Sequence, residues 1–208
     1  MSLIDRLIED RVLRTPAIIA AMRKIKRADF LPPEFRDQAE FDHPVPIGFG
    51  QTNSQPTTVA IMLELLQPEP GDKMLDVGSG SGWTAALEAE LVKPGKVFGI
   101  EILPELAAFA QENVLKYHPI DRARISCGDG YAGLPEEAVF DKIMIAAAAP
   151  EVPQALLEQL APGGWLIAPI GRIDAEQDLV LIEKKADGTF AERRWPGFRF
   201  VPLITKNT

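Results

Sequence analysis

Apolar residues recur along this chain with two different periods. Leu3, Ile4, Leu7 and Ile8 fall at helical spacing, and Ile18, Met22 and Ile25 continue a second apolar face. Thr15 followed by Pro16 reads as a helix cap and first helical residue. Pro32 and Pro33 are expected to end that helix, because proline cannot continue one. A polar loop follows over 34–55. Val59, Met62, Leu63 and Leu66 then sit at i, i+3, i+4 and i+7, which predicts a helix over 56–66.

From Lys73 onward strands and helices alternate. "KMLDVG", "VFGIE", "ARISCGD" and "FDKIMIAA" read as buried strands, and "APGG" as a turn into a fifth, "WLIAPIG". "WTAALEAELV", "LPELAAFAQENVLKYH" and "VPQALLEQL" read as the helices between them. Such a rhythm predicts an α/β fold, a mostly parallel central sheet with helices on both faces. The end breaks it: "DLVLIEK" and "TFAERRW", joined across Gly188, predict an antiparallel hairpin, which "FRFVPLI" would extend.

The length, 208 residues, suits one domain. We expect a helical extension and loop over 1–55 and a catalytic core over 56–208. The net charge of −8 repels phosphate backbones, so nucleic acid is not an expected partner. Arg23, Lys24, Lys26 and Arg27 form a local basic cluster, read as a solvated helix face. No stretch resembles a signal peptide or a membrane span, so a cytoplasmic protein is expected. A single cysteine, Cys127, and two histidines, His43 and His118, leave no ligand set for a metal. Cys127 is expected to be a buried structural thiol.

Three stretches carry chemistry. "LDVGSGSGW" places Gly78, Gly80 and Gly82 between a strand and a helix, where backbone can approach a ligand closely. Its spacing departs from G-x-G-x-x-G, and no G-x-x-x-x-G-K-[ST] is present. Glu101, 25 residues after Asp76, ends the second strand, where a carboxylate can accept from both ribose hydroxyls; a solvent-facing acid is the plain alternative. "CGDGY" ends the third with Asp129, an acceptor for an adenine amino group or a simple turn residue. No lysine or arginine lies in 76–82, so a cofactor with ribose, adenine and a cationic centre fits better than a phosphate. S-adenosyl-L-methionine has those parts.

At this point the chain resembles the protein-L-isoaspartate O-methyltransferases over nearly its whole length. "IGFGQTNSQP", "LDVGSGSGW", "GIE", "GDG", "AAAAPEVPQALLEQLAPGGWLIAPIG" and "FVPL" carry the resemblance. It implies a Rossmann-like class I methyltransferase fold, S-adenosyl-L-methionine as donor, and as acceptor the free carboxylate of L-isoaspartyl residues in damaged proteins or peptides. The ester would close to a succinimide, which can open to normal aspartate. For the cofactor the resemblance implies Gln51, Thr52, Asn53, Asp76, Gly78, Ser79, Gly80, Gly82, Glu101, Ile102, Asp129 and Gly130. For the substrate it implies Ser54, Ala147, Ala148, Val201 and Pro202, with Ser54 as the catalytic residue; a cap on the helix that follows is the other reading of Ser54. A carboxylate acceptor is already ionised near neutral pH and needs no general base. A monomer is expected.

The chain departs from the family pattern around the loop. Asn53 stands where isoleucine or valine is usual, and a buried amide needs partners. Thr57 and Thr58 replace larger residues, and Glu40 replaces an aromatic. Such departures would accompany an altered acceptor. Two alternatives stay open: a carboxylate methyltransferase with another acceptor, and a weakly active cofactor-binding module.

Overall fold

A computed structural model describes residues 1–205; the last three residues of the expected 56–208 core lie outside the described residues. Ser2 starts the first helix, α1 (Leu3–Glu9), through a reciprocal capping box with Asp5. The second, α2 (Pro16–Lys24), has Pro16 in its first turn. Thr15 stands at the cap position without capping; its hydroxyl donates to Glu64 Oε2 at 2.8 Å instead.

The prolines do not end α2. It stops at Lys24, and Ile25 turns extended with ψ 99°. Ile25 and Arg27 are then buried while Lys26 between them is exposed. That two-residue alternation is incompatible with a helix face. Short 3-10 helices follow at Arg27–Phe30 and Pro33–Gln38. The rest of the expected loop contains a small antiparallel ribbon, β1 (Val45–Gly48) and β2 (Gln51–Asn53).

Next come α3 (Pro56–Leu66), β3 (Lys73–Val77), α4 (Trp83–Leu91), β4 (Lys96–Glu101), α5 (Pro104–Leu115) and β5 (Ala123–Cys127). They are followed by β6 (Phe140–Ile145), α6 (Gln154–Gln159), β7 (Leu160–Ile170), β8 (Gln177–Lys184) and β9 (Phe190–Phe198). "APGG" is not a turn ahead of β7 but an irregularity inside it. Phe140 pairs with Leu160 and Lys142 already with Trp165, so the extra residues bulge out.

The main sheet has the order β5-β4-β3-β6-β7-β8-β9. Its first five strands are parallel, and β8 and β9 close it as an antiparallel hairpin. Strand order reverses beside β3, so a crevice opens outside the carboxyl ends of β3, β4 and β6. Side chains alternate across the sheet with the two-residue strand period. Met74, Val97, Met144 and Ile167 join the core beneath α1 to α5. Leu75, Phe98, Ile143 and Leu166 join the opposite core, which α6 covers with Leu156. Helices lie on both faces, divided unequally.

"FRFVPLI" does not extend the last strand. β9 ends at Phe198, and the tail returns to the carboxyl end of β6. There the Ala148 N–H donates to the Val201 carbonyl (2.8 Å), and the Leu203 N–H to the Ala148 carbonyl (2.7 Å). Among the described residues no helix is long and apolar enough to cross a membrane.

Candidate active site

The crevice is walled on one side by the turn between β3 and α4. Gly78, Gly80 and Gly82 all have left-handed φ, +79°, +54° and +86°. At Gly82 the requirement is absolute, since a Cβ would lie 2.8 Å from the Ala110 carbonyl oxygen of α5. Gly80 brings the ribbon close: a Cβ there would stand 3.2 Å from Ile47 Cδ1 of β1. The Gly80 N–H donates to Glu101 Oε2 (2.9 Å) and the Leu103 N–H to Oε1 (3.1 Å). Glu101 is thereby fixed at the end of β4 before any ligand arrives, with a lone pair on each oxygen to spare.

Of the residues expected around a cofactor, nine line this one crevice: Gln51, Thr52, Asn53, Gly78, Ser79, Gly80, Glu101, Ile102 and Gly130. Three do not. Gly82 packs against α5. Asp129 lies beyond the end of β5, where its Oδ1 accepts from the Tyr131 N–H at 3.0 Å. Asp76 is fully buried inside β3, on the face it shares with Met74 beneath the helices. Burial pushes its carboxyl up to about 7. Ser81, Trp83, Thr84, Leu203 and Ile204 also line the crevice without having been expected. The lining holds one carboxylate and no lysine or arginine. That suits a nucleoside with a cationic end and does not suit a phosphate.

The opposite wall is the β1–β2 ribbon, Ser54 and the returning tail. Ser54 is half-buried, and no hydrogen bond to its hydroxyl occurs among the described residues. The capping role open to it is filled from elsewhere. Gln55 takes the cap position of α3 without a side-chain cap bond, and Asp42 accepts from the Thr57 N–H (2.9 Å) and hydroxyl (2.6 Å). Val201 and Pro202 line the crevice, and so do Ala146 and Ala147. Ala148 does not: it is 1% exposed, and its backbone anchors the tail.

Arg27 belongs to this wall, not to a solvated face. Arg23, Lys24 and Lys26 are exposed, whereas Arg27 is 6% exposed. Its guanidinium lies 5.5 Å from the Trp83 ring centroid and donates to the carbonyls of Phe41 (2.9 Å), His43 (2.8 Å) and Ser54 (3.2 Å). Its Nε donates to Asn53 Oδ1 at 2.8 Å. Burial pushes Arg27 down to about 10, opposed by the charge of Asp42. The only signal in the sequence was its place two residues after Ile25, in strand-like phase. His118 is buried beneath α4, where desolvation holds it below its usual value. Cys127 is exposed, because β5 is an edge strand and the thiol sits at its end.

The family described as protein-L-isoaspartate(D-aspartate) O-methyltransferase (PCMT) matches residues 1–208. A protein-L-isoaspartate O-methyltransferase of Methanopyrus kandleri is 50% identical over 204 residues, 97% of this chain and 89% of that protein. One from Thermococcus onnurineus is 45% identical over 201 residues, 97% of this chain and 91% of that protein. Among solved structures, a Plasmodium falciparum PCMT in complex with S-adenosyl-L-homocysteine superposes with a TM-score of 0.86. It is 30% identical, and the match covers 97% of this chain and 96% of that one.

Proposed function

The chain belongs to the protein-L-isoaspartate(D-aspartate) O-methyltransferase family, and from that membership we propose which of its residues carry the reaction. The activity is methyl esterification of the free carboxylate of L-isoaspartyl residues, the first step of repair, with S-adenosyl-L-methionine as donor. Bound in the crevice, the donor supplies an electrophilic methyl group on a cationic sulfur. Glu101 and the turn through Gly78, Ser79 and Gly80 are the residues that would hold its nucleoside.

Ser54 receives the acceptor. Its hydroxyl can donate to a carboxylate oxygen and fix which oxygen faces the donor. The acceptor is ionised near neutral pH, so the site needs alignment and exclusion of water, not a base. Gln51 and Thr52 close over the crevice. Ala147 leaves room for an extended peptide, and Val201 and Pro202 form its floor. One observation carries this reading: Ser54 faces the same crevice as Glu101, and among the described residues no hydrogen bond occupies its hydroxyl, the α3 cap being supplied by Asp42. The partner is then a damaged protein or peptide, with neither nucleic acid nor membrane. The net charge of −8 and a lining without lysine or arginine support that. We read the chain as a cytoplasmic monomer and as one catalytic unit.

The test is methyl transfer from labelled S-adenosyl-L-methionine to an isoaspartyl peptide, with the aspartyl peptide as control. Selective, base-labile labelling is expected. Ser54→Ala should lower kcat/KM by about 10- to 100-fold, the loss of one hydrogen bond to a charged group, with donor affinity unchanged. Intact donor binding with neither peptide labelled would overturn the assignment, and full activity of the variant would remove Ser54 from it.

A further inference from the structure

Asn53 is a buried amide, 4% exposed, in the last position of β2. Both its ends are engaged. Oδ1 accepts from Arg27 Nε at 2.8 Å, and Nδ2 donates to Ser81 Oγ at 3.0 Å. The orientation is fixed chemically: a guanidinium can only donate, so the oxygen must face Arg27 and the nitrogen Ser81. Ser81, 2% exposed, lies in the glycine turn, and its carbonyl is held from the other side by Asn113 Nδ2 of α5 at 3.0 Å. An isoleucine or valine at position 53 could make neither bond.

Arg27 spreads the connection along the loop. Its guanidinium gathers the carbonyls of Ala39 (3.5 Å), Phe41, His43, Asn53 (3.4 Å) and Ser54, and among the described residues no carboxylate hydrogen-bonds to it. A buried cation satisfied by neutral carbonyls is costly, and losing it would leave those carbonyls without their donor. Ser81 also lines the crevice. Because its oxygen accepts from Asn53, its own hydrogen is left for a ligand oxygen. Donation to a ligand would polarise the oxygen further and strengthen the bond from Asn53.

We propose that Ser81, Asn53 and Arg27 form a positioning relay that ties the donor turn to the acceptor loop, so that filling the donor site fixes residues 39–54 around Ser54. The relay rests on the reading of that loop as the acceptor wall. None of its three members has to touch the reacting atoms. Ala39, Phe41 and His43 do not line the crevice, so an effect of the donor on their segment is indirect, and the Ser81 and Asn53 variants separate the relay from the ribbon, whose Gln51, Thr52 and Ser54 do line it.

Amide hydrogen exchange over 39–44, with and without saturating S-adenosyl-L-homocysteine, reads this directly. In the unmodified chain the ligand should slow exchange about fivefold or more, the lower end of ordinary coupling between sites. In Ser81→Ala, which removes only one hydroxyl, and in Asn53→Ile, the slowing should fall below about twofold while calorimetry still shows saturable ligand binding. KM for an isoaspartyl peptide should rise about tenfold in both variants, against less than about threefold in the ligand Kd. Equal slowing in the variants, or none in the unmodified chain, overturns the relay. Failure to methylate the peptide would instead count against the acceptor assignment and leave the exchange result standing.

Discussion

Glu88→Gln is expected to reduce the pH dependence of stability between pH 6 and 8. Asp76 of β3 and Glu88 of α4 are both fully buried, and no hydrogen bond reaches any of their carboxylate oxygens among the described residues. Burial pushes Asp76 up to about 7; the Ser79 hydroxyl, which donates to the Asp76 backbone carbonyl at 3.2 Å, works against it, and the charge of Glu101 adds to it. Burial also holds Glu88 well above the usual 4.5, with Asp76 adding. Each acid therefore keeps a proton in the folded chain that the unfolded chain releases near pH 4. The folded state binds more protons, so stability falls as pH rises from the unfolded value through the folded one. One retained proton corresponds to about 1.4 kcal/mol per pH unit. Asp76, half-titrated near 7, contributes a loss of about 1 kcal/mol from pH 6 to 8, and Glu88, raised in the same sense by burial, adds to it. The Asp76 share alone is about 2–4 °C in Tm for a chain of this size. Calorimetric melting at pH 6, 7 and 8 measures it. The variant should keep at most the Asp76 share, and less if the new amide donates to Asp76. His118 titrates alike in both proteins and drops out of the comparison. Parallel slopes would refute the buried, proton-holding pair.

Two further predictions concern the crevice walls. Glu101→Gln keeps the side-chain shape but turns an amide N–H toward either the Gly80 or the Leu103 N–H, so affinity for S-adenosyl-L-homocysteine should fall about 10- to 100-fold by calorimetry. Asp42→Ala removes the cap that Asp42 provides for α3 and should cost about 1 kcal/mol in urea unfolding at pH 7, modest because Asp42 is exposed. Burial opposes the charge of Asp42, but the Thr57 hydroxyl and N–H, Gln55 and Arg27 outweigh it and hold the carboxyl below its usual value. Its contribution is thus complete above about pH 4 and lost as pH falls through the lowered value, so the gap between variant and parent should narrow below about pH 4.

The parallel half of the fold was legible because its strands are buried runs punctuated by glycine and proline, and helix α3 because its period is unbroken over 56–66. The segment 25–55 was not. Its path is set by tertiary bonds to Arg27, Asp42 and Glu40, and such bonds leave no period in a sequence. The site divides the same way. Gly78, Gly80 and Glu101 reach the crevice because they stand at strand ends, where open sheets bind ligands. Asp76 belongs to the same motif but lies one residue inside β3, in phase with Met74, which sends its carboxyl under α4. Glu101 lies in the same phase, since Asp76 pairs with Gly99, so parity does not separate the two; position does, because Glu101 ends its strand and Asp76 does not. Among Arg23, Lys24, Lys26 and Arg27 only the phase with Ile25 marked Arg27, since its burial depends on carbonyls drawn from 39–54.

The departures from the family pattern take a different meaning once their partners are known. Glu40 Oε2 accepts the Leu3 N–H at 3.1 Å, and its carbonyl accepts from Arg6 at 2.9 Å, which joins the loop to the start of α1. Thr57 binds Asp42, joining the loop to α3. Asn53 joins it to Arg27 and Ser81. Neither Glu40 nor Thr57 lines the crevice, and Asn53 uses both ends of its amide within the protein. These residues therefore govern how the loop is held rather than what it offers to an acceptor. The surface proposed to meet the substrate, Ser54 with Ala147, Val201 and Pro202, keeps all but Ala148 of the residues the family pattern implies. A changed attachment with an unchanged contact surface does not require a changed acceptor. It does require that the attachments work as a set: restoring the usual isoleucine at position 53 alone would strip Arg27 Nε of its acceptor and leave a buried cation half-held.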